Sequence, residues 1–163
     1  MFKTGDKIVY PNQGVGIIDL IEEKEFRGET QKFYNIHLLN NSLKITLPCN
    51  RIENSSIRLI CDSNTLDNIL DNLKRLSEQN DAIDSTNSKD RFLTNSAKVK
   101  SGSLQDYIEV FLNLSLIKRS HSLNSSENQM LNTIKKVLIE EISLVKNITD
   151  NEANDLLEKN LSL

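Results

Sequence analysis

Nothing in this chain approaches the roughly 20 consecutive apolar residues that a membrane-spanning helix needs. Its opening stretch, Met1-Phe2-Lys3-Thr4-Gly5-Asp6, carries no apolar signal region. A cytoplasmic protein is the expectation. Cysteine is scarce: Cys49 and Cys61 are the only two. They lie too far apart for the paired spacing of a zinc or redox motif, so both read as reduced, packed thiols. Histidine is equally rare. His37 falls in a strand-like stretch and His121 in a polar one, and neither has a carboxylate or thiol at ligand spacing. The few glycines form no phosphate cradle. Gly14-Val15-Gly16 lacks the third glycine, the trailing lysine and the following helix that such a loop requires, and reads as a turn leading into a strand.

Acidic pairs do not supply the missing chemistry. Glu22-Glu23 and Glu140-Glu141 are adjacent, and adjacent side chains diverge on a strand or a helix, so these carboxylates are expected on solvated faces. The formal net charge of -3 also argues against a protein that coats nucleic acid indiscriminately, since that mode of binding is dominated by phosphate neutralisation. Any DNA contact must be local. The expectation is a binding protein and not an enzyme, without metal, cofactor, membrane or small-molecule substrate.

What is present divides in two. The 163 residues, 37% hydrophobic and 26% charged, suffice for one sizeable core or two small ones. From Lys7 to about Leu59 the chain reads as short strands: Lys7 to Tyr10, Val15 to Glu25, Gln31 to Leu39 and Leu43 to Leu47 are rich in Ile, Val, Leu, Phe and Tyr. Pro11-Asn12-Gln13-Gly14, Arg27-Gly28-Glu29 and Asn40-Asn41 separate them and suit tight reversals. In Phe33-Tyr34-Asn35-Ile36-His37-Leu38 apolar and polar residues partly alternate, as a sheet with one wet face requires. A small, bent antiparallel sheet or barrel of four or five strands is expected.

After Cys61 the period changes. Leu66, Ile69, Leu70, Leu73 and Leu76 recur at three and four residues, a helix started by Asp62-Ser63-Asn64. The polar run from Gln79 to Thr86 reads as a linker. Beyond it, Asn87 to Val99 carries a sparse stripe. Capping residues then announce three clearer helices: Ser103 before Leu104; Asn124 with Glu127 before Leu131; and Thr149 with Glu152 before Ala153. Each presents one apolar face, so they must bury one another in a bundle. The fold class is therefore α+β. The divisions expected are a sheet domain over residues 1–62, a first helix and linker over 63–86, and a compact α-helical domain over 87–163.

Between Ser88 and Lys146 nine lysines and arginines face six acids, so the helical part is basic inside an acidic protein. Two readings stand open: a modest phosphate-contacting face, or solvated helix surface.

The opening Phe2-Lys3-Thr4-Gly5-Asp6-Lys7-Ile8-Val9-Tyr10-Pro11-Asn12-Gln13-Gly14-Val15-Gly16 resembles the start of the CarD/CdnL family of bacterial RNA polymerase-binding transcription factors. There, a Gly-Asp dipeptide and a Val-Tyr-Pro turn precede a glycine-bearing strand. Gly28-Glu29, Phe33-Tyr34 and Leu47-Pro48 fit the same pattern, as do Ser101-Gly102-Ser103, Glu109-Val110 and Leu123-Asn124-Ser125-Ser126-Glu127 to Met130-Leu131 further on. The resemblance spans nearly the whole chain. It implies a Tudor-like N-terminal domain, similar to the polymerase-interacting domain of the transcription-repair coupling factor, docked on the first lobe of the polymerase β subunit. It also implies a helical domain that contacts promoter DNA at the upstream edge of the melted bubble and modulates the open complex. DNA binding would be weak and dependent on the polymerase.

Carried over by position, the polymerase-facing residues are Lys24, Phe26 and Thr46, with Glu25 between the first two as a further candidate. Thr46 stands where the family tends to be basic, and the nearby Lys44 is a candidate to compensate. DNA-facing candidates are Ser88, Lys89, Arg91, Phe92, Lys118, Arg119, Lys135 and Lys136; of the later bases only Lys135 matches well, and Leu112 and Leu116 fall where bases are common. Many members place at the position of Ser88 a tryptophan that wedges into the minor groove. This chain has no tryptophan. Either Phe92 substitutes, or Lys89 and Arg91 hold phosphates without a wedge, or the open complex is stabilised only weakly. The competing reading is a Tudor-like protein-binding module whose helical domain mediates protein interaction or dimerisation without touching DNA.

Overall fold

The computed structural model describes residues 1–52, 54–79 and 87–161. It separates into two compact units, Met1–Ile60 and Cys61–Leu163. Most of the expected linker, residues 80–86, lies outside the described residues.

The first unit is a five-stranded antiparallel sheet. Its strands are β1 (Lys7–Tyr10), β2 (Gly14–Phe26), β3 (Glu29–Leu38), β4 (Lys44–Pro48) and β5 (Arg58–Leu59), with a short helix α1 (Cys49–Ile52) before the last. The spatial order is β4-β3-β2-β1-β5. The turns expected from the sequence connect them. Arg27 and Gly28 both adopt positive φ, 53° and 81°, the left-handed pair that lets a two-residue hairpin follow the right-handed strand twist. Neither α1 nor β5 has a pattern of its own in the sequence, because both are too short to show a period.

One face of this sheet closes on a core of Ile8, Ile18, Tyr34, Ile36, Ile52 and Ile57, with Phe2, Ile21 and Leu47 packed against it. The Tyr34 hydroxyl accepts the Phe2 backbone N–H at 3.2 Å, and the two rings meet edge to face with centroids 6.0 Å apart. The chain start is thereby tied to the sheet. Both cysteines are free and half-buried.

A bulge sets the faces of β2. Ile18 pairs with Ile36, but the next pair is Leu20 with Asn35, so Asp19 is the extra residue. Inserting one residue reverses the alternation beyond it. Ile18 is fully buried while Leu20 is 50% exposed, and Ile21 turns inward instead.

The second unit comprises α2 (Ser63–Gln79), α3 (Ser88–Ser101), α4 (Leu104–Ser120), α5 (Ser125–Lys146) and α6 (Asp150–Lys159). The caps lie where the sequence announces them. Asp62 accepts the Thr65 N–H at 2.7 Å, Ser103 caps α4, and Asn124-Glu127 and Thr149-Glu152 form complete capping boxes on α5 and α6. α3, weak by periodicity, is held by both ends: Asn87 accepts the Asp90 N–H, and Gly102 terminates the helix at φ 71°. The stripes interlock around Tyr107, Phe111, Leu114, Ile134, Leu138 and Leu157, each 1% exposed or less.

Two expectations change. α2 packs against α4 and α5, so the first helix belongs to the helical unit instead of standing apart with a linker. Glu141 is not solvated: it is 0% exposed and its carboxylate accepts the Cys61 N–H at 3.0 Å. Burying a carboxylate is costly unless it is answered by donors, and that backbone donor is what sequence spacing cannot display. Among the described residues no helix is long and apolar enough to cross a membrane.

Gly16 has no room for a side chain, since an added Cβ would meet the His37 carbonyl oxygen and Ile36 Cγ2 at 3.0 Å each. A backbone carbonyl inside a strand cannot step aside. Gly16→Ala is expected to cost about 1–3 kcal/mol through overpacking, measured as a lowered urea midpoint of the sheet unit; an unchanged midpoint would show that the strands separate freely there.

Candidate functional site

The bulge leaves the outer face of the sheet polar but not empty of apolar groups. Residues opposed across an antiparallel pair share a face. The pairs Leu20/Asn35, Glu22/Phe33, Lys24/Gln31 and Phe26/Glu29 therefore line up outward, joined from β4 by Thr46 opposite Asn35 and Lys44 opposite His37. Of the polymerase-facing candidates, Lys24, Phe26 and Thr46 come together on this face with Lys44, the candidate to compensate for Thr46. Glu25 pairs with Thr30 and points the other way.

A chain of hydrogen bonds stiffens the face. Thr46 Oγ1 donates to Asn35 Oδ1 at 2.8 Å, Asn35 Nδ2 donates to Glu22 Oε1 at 2.7 Å, and Lys24 Nζ meets the same Glu22 oxygen at 2.7 Å. The Lys24 ammonium and the Asn35 amide hold the Glu22 carboxyl below its usual range. Lys24 Nζ also sits 5.7 Å from the centre of the Phe33 ring, within reach of a cation–π attraction. Phe26 stands 57% exposed at the hairpin tip, with the Arg27 guanidinium 5.3 Å from its ring centre. Phe26 at the tip and Leu20, 50% exposed further along the same face, leave apolar groups open to solvent there. Sequence reasoning missed Leu20, because only the bulge turns it outward.

His37 also acquires a partner that its sequence neighbours do not suggest. Its Nδ1 lies 2.6 Å from Asp19 Oδ1 across the strands. Among the described residues no group of three or more potential ligands is placed to hold a metal ion.

In the helical unit the DNA-facing candidates separate by environment. Ser88 and Lys89 are exposed in the first turn of α3, and Phe92 is half-buried. Leu93, which sequence reasoning passed over, is 59% exposed. Arg91 turns inward. Its side chain is 10% exposed against 1% for Glu127, and the guanidinium grips that carboxylate through Nε at 2.6 Å and Nη2 at 3.1 Å. The same Glu127 accepts the Asn124 N–H that begins α5. One carboxylate thus caps α5 and anchors α3. The capping role is legible from Asn124 and Glu127; the ion pair joins residues 36 apart and is not.

Lys118 and Arg119 are exposed in the last turn of α4. They share a cleft with Lys135 of α5, which pairs with Glu158 of α6. Lys136 is exposed and does not line that cleft. Leu112, where a base is common in the resembled family, is 5% exposed and belongs to the core.

The two units are thus an antiparallel sheet with an exposed aromatic at its hairpin tip and a capped helical bundle bearing exposed bases. Residues 2–61 match the family model "CarD-like/TRCF RID domain", and residues 71–158 match "CarD, C-terminal domain". A relative from Bacillus subtilis (strain 168), named "Putative transcription factor YdeB", is 35% identical over 152 residues, covering 93% of this chain and 97% of its own. A solved structure, "CdnLNt from Myxoccoccus xanthus", is 47% identical over 32% of this chain and 75% of that one, with a TM-score of 0.30. The chain belongs to the CarD/CdnL family of transcription factors.

Removing one member of a buried ion pair strands the other, at a cost of about 3–5 kcal/mol. Arg91→Ala and Glu127→Ala are each expected to destabilise the helical unit on that scale, with the double variant losing far less than the sum. Urea unfolding followed by circular dichroism reads this; additive losses would mean that the pair does not hold α3.

Proposed function

We propose that this protein binds RNA polymerase through the open face of its sheet and contacts promoter DNA through its helical unit, acting by differential binding and not by catalysis. The observation that carries the first half is the convergence of Lys24, Phe26, Lys44 and Thr46 on one exposed, hydrogen-bonded face, in a domain that matches the CarD-like/TRCF RID model. The partner surface is the first lobe of the β subunit. Phe26 serves as the anchor and Lys24 as the charge that orients it.

The second half assigns DNA at the upstream edge of the bubble to the helical unit. With Arg91 committed to Glu127, phosphate contact falls to Lys89 on α3 and to Lys118, Arg119, Lys135 and Lys136. With no tryptophan in the chain, apolar contact falls to the exposed Leu93 and the half-buried Phe92. Such a site binds DNA weakly on its own, and the polymerase supplies the local concentration. Only contacts stronger in the open complex than in the closed one shift the equilibrium, about tenfold for each 1.4 kcal/mol of difference.

A second reading, a protein-binding module without DNA contact, draws support from the missing tryptophan and the inward Arg91. Lys89→Glu separates the two: it slows promoter opening while leaving polymerase binding intact under the first reading, and changes neither under the second.

The tether is tested by measuring binding to the isolated first lobe of the polymerase β subunit. A Lys24→Glu, Phe26→Ala double variant should weaken binding by roughly thirtyfold or more, the scale of losing about 2 kcal/mol at a hot spot. No binding by the wild type would overturn the tether, whereas equal binding by the variant would move the contact off this face.

A further inference from the structure

Where α4, α5 and α6 meet, the helical unit has a cleft of about 240 Å³. That is smaller than the roughly 300–1,000 Å³ of sites that enclose a whole small molecule. It has room for a group and not for a cofactor. Its floor is apolar, made by Phe111 and Leu131, 1% and 5% exposed. Lys118, Arg119 and Lys135 stand on its walls with two neutral hydrogen-bonding side chains, Ser115 and Asn132. Among the described residues neither Lys118 nor Arg119 forms an ion pair. Three bases with uncharged polar neighbours lining one cleft are the donor chemistry that a phosphate group recruits.

The fourth charged group contradicts a plain anion site. Glu158 also lines the cleft and its carboxylate holds Lys135 Nζ at 2.5 Å. The two side chains are 32% and 36% exposed, so water screens the pair and it is readily broken. A phosphate that enters must take Lys135 from Glu158.

We propose that this cleft seats a backbone phosphate of nucleic acid and that Glu158 is its built-in competitor, lowering the affinity of the seat from within the chain. This rests on the reading of the helical unit as DNA-contacting. Glu158 sits on α6, the last described helix, so DNA affinity is set there by an acidic residue and not only by the bases that face the phosphate.

The test is duplex DNA binding by the full chain, read by fluorescence anisotropy over a range of salt and by amide chemical shifts of α3, α4 and α5. Glu158→Gln should tighten binding roughly three- to tenfold, and it should steepen the slope of log affinity against log salt by about 0.9, the signature of one more neutralised phosphate. Lys135→Gln should weaken binding, and adding Glu158→Gln to it should recover little. Unchanged affinity and slope in a folded Glu158→Gln variant would overturn the competitor. Duplex-induced shifts confined to α3 would overturn the cleft while leaving DNA contact standing. Shifts on no helix, with binding to the polymerase lobe retained, would overturn the cleft and the DNA half of the proposed function together. Inorganic phosphate that fills the cleft as tightly as the duplex would reassign it to free phosphate and overturn the nucleic-acid occupant.

Discussion

Two carboxylates taken out of water organise the helical unit, and both belong to α5. Glu127, 1% exposed, begins the helix, and Glu141, 0% exposed, lies near its end. A buried charge is tolerated only where donors converge on it, so each demands a particular neighbour. Glu127 requires the Arg91 guanidinium and thereby draws α3 onto the start of α5. Glu141 requires the Cys61 N–H and thereby fixes where the chain turns into α2. α4 and α6 pack on the same helix by apolar contact. α5 is the post, and the two carboxylates are the points at which other segments are pinned to it.

That arrangement divides the basic residues by task. Arg91 is consumed by the interior, and its contribution is to fix the helix that carries Lys89. Lys98 is likewise engaged, bonded to Glu109 at 2.7 Å, and with Gln105 it holds that carboxyl below its usual range. Lys146 bonds Asp67 and Ser63 on α2. These pairs consume acids along with bases, so the excess positive charge of this region is little changed while fewer bases remain at the surface, among them Lys89, Lys118, Arg119 and Lys136. Under the proposed DNA contact, such a surface suits weak binding strengthened by tethering better than autonomous binding.

In the sheet the corresponding device is the bulge at Asp19. By reversing the alternation of β2 it keeps Ile18 and Ile21 in the core and turns Leu20 outward toward the face that carries Lys24 and Phe26. The core and the open face use opposite sides of the same strands. Substitutions on the open face therefore leave the packed side untouched, provided that the Thr46, Asn35, Glu22 and Lys24 chain is respected.

The sequence by itself determined the elements and the family. Apolar period, turn residues and capping boxes are local signals, carried by residues within four positions of one another, and they placed the major strands and helices within a few residues of where they lie. The motif around Gly5-Asp6 and Val9-Tyr10-Pro11 identified the relatives. Only the tertiary structure decided which charges are available. In the sequence Arg91 and Lys89 are simply two bases of one helix, Glu141 and Glu140 are the same residue type, and Leu20 reads like any other strand leucine. Their fates were settled by partners 36 and 80 positions away and by one extra residue in a strand pair, because burial and ion pairing depend on neighbours in space, which no local spacing encodes.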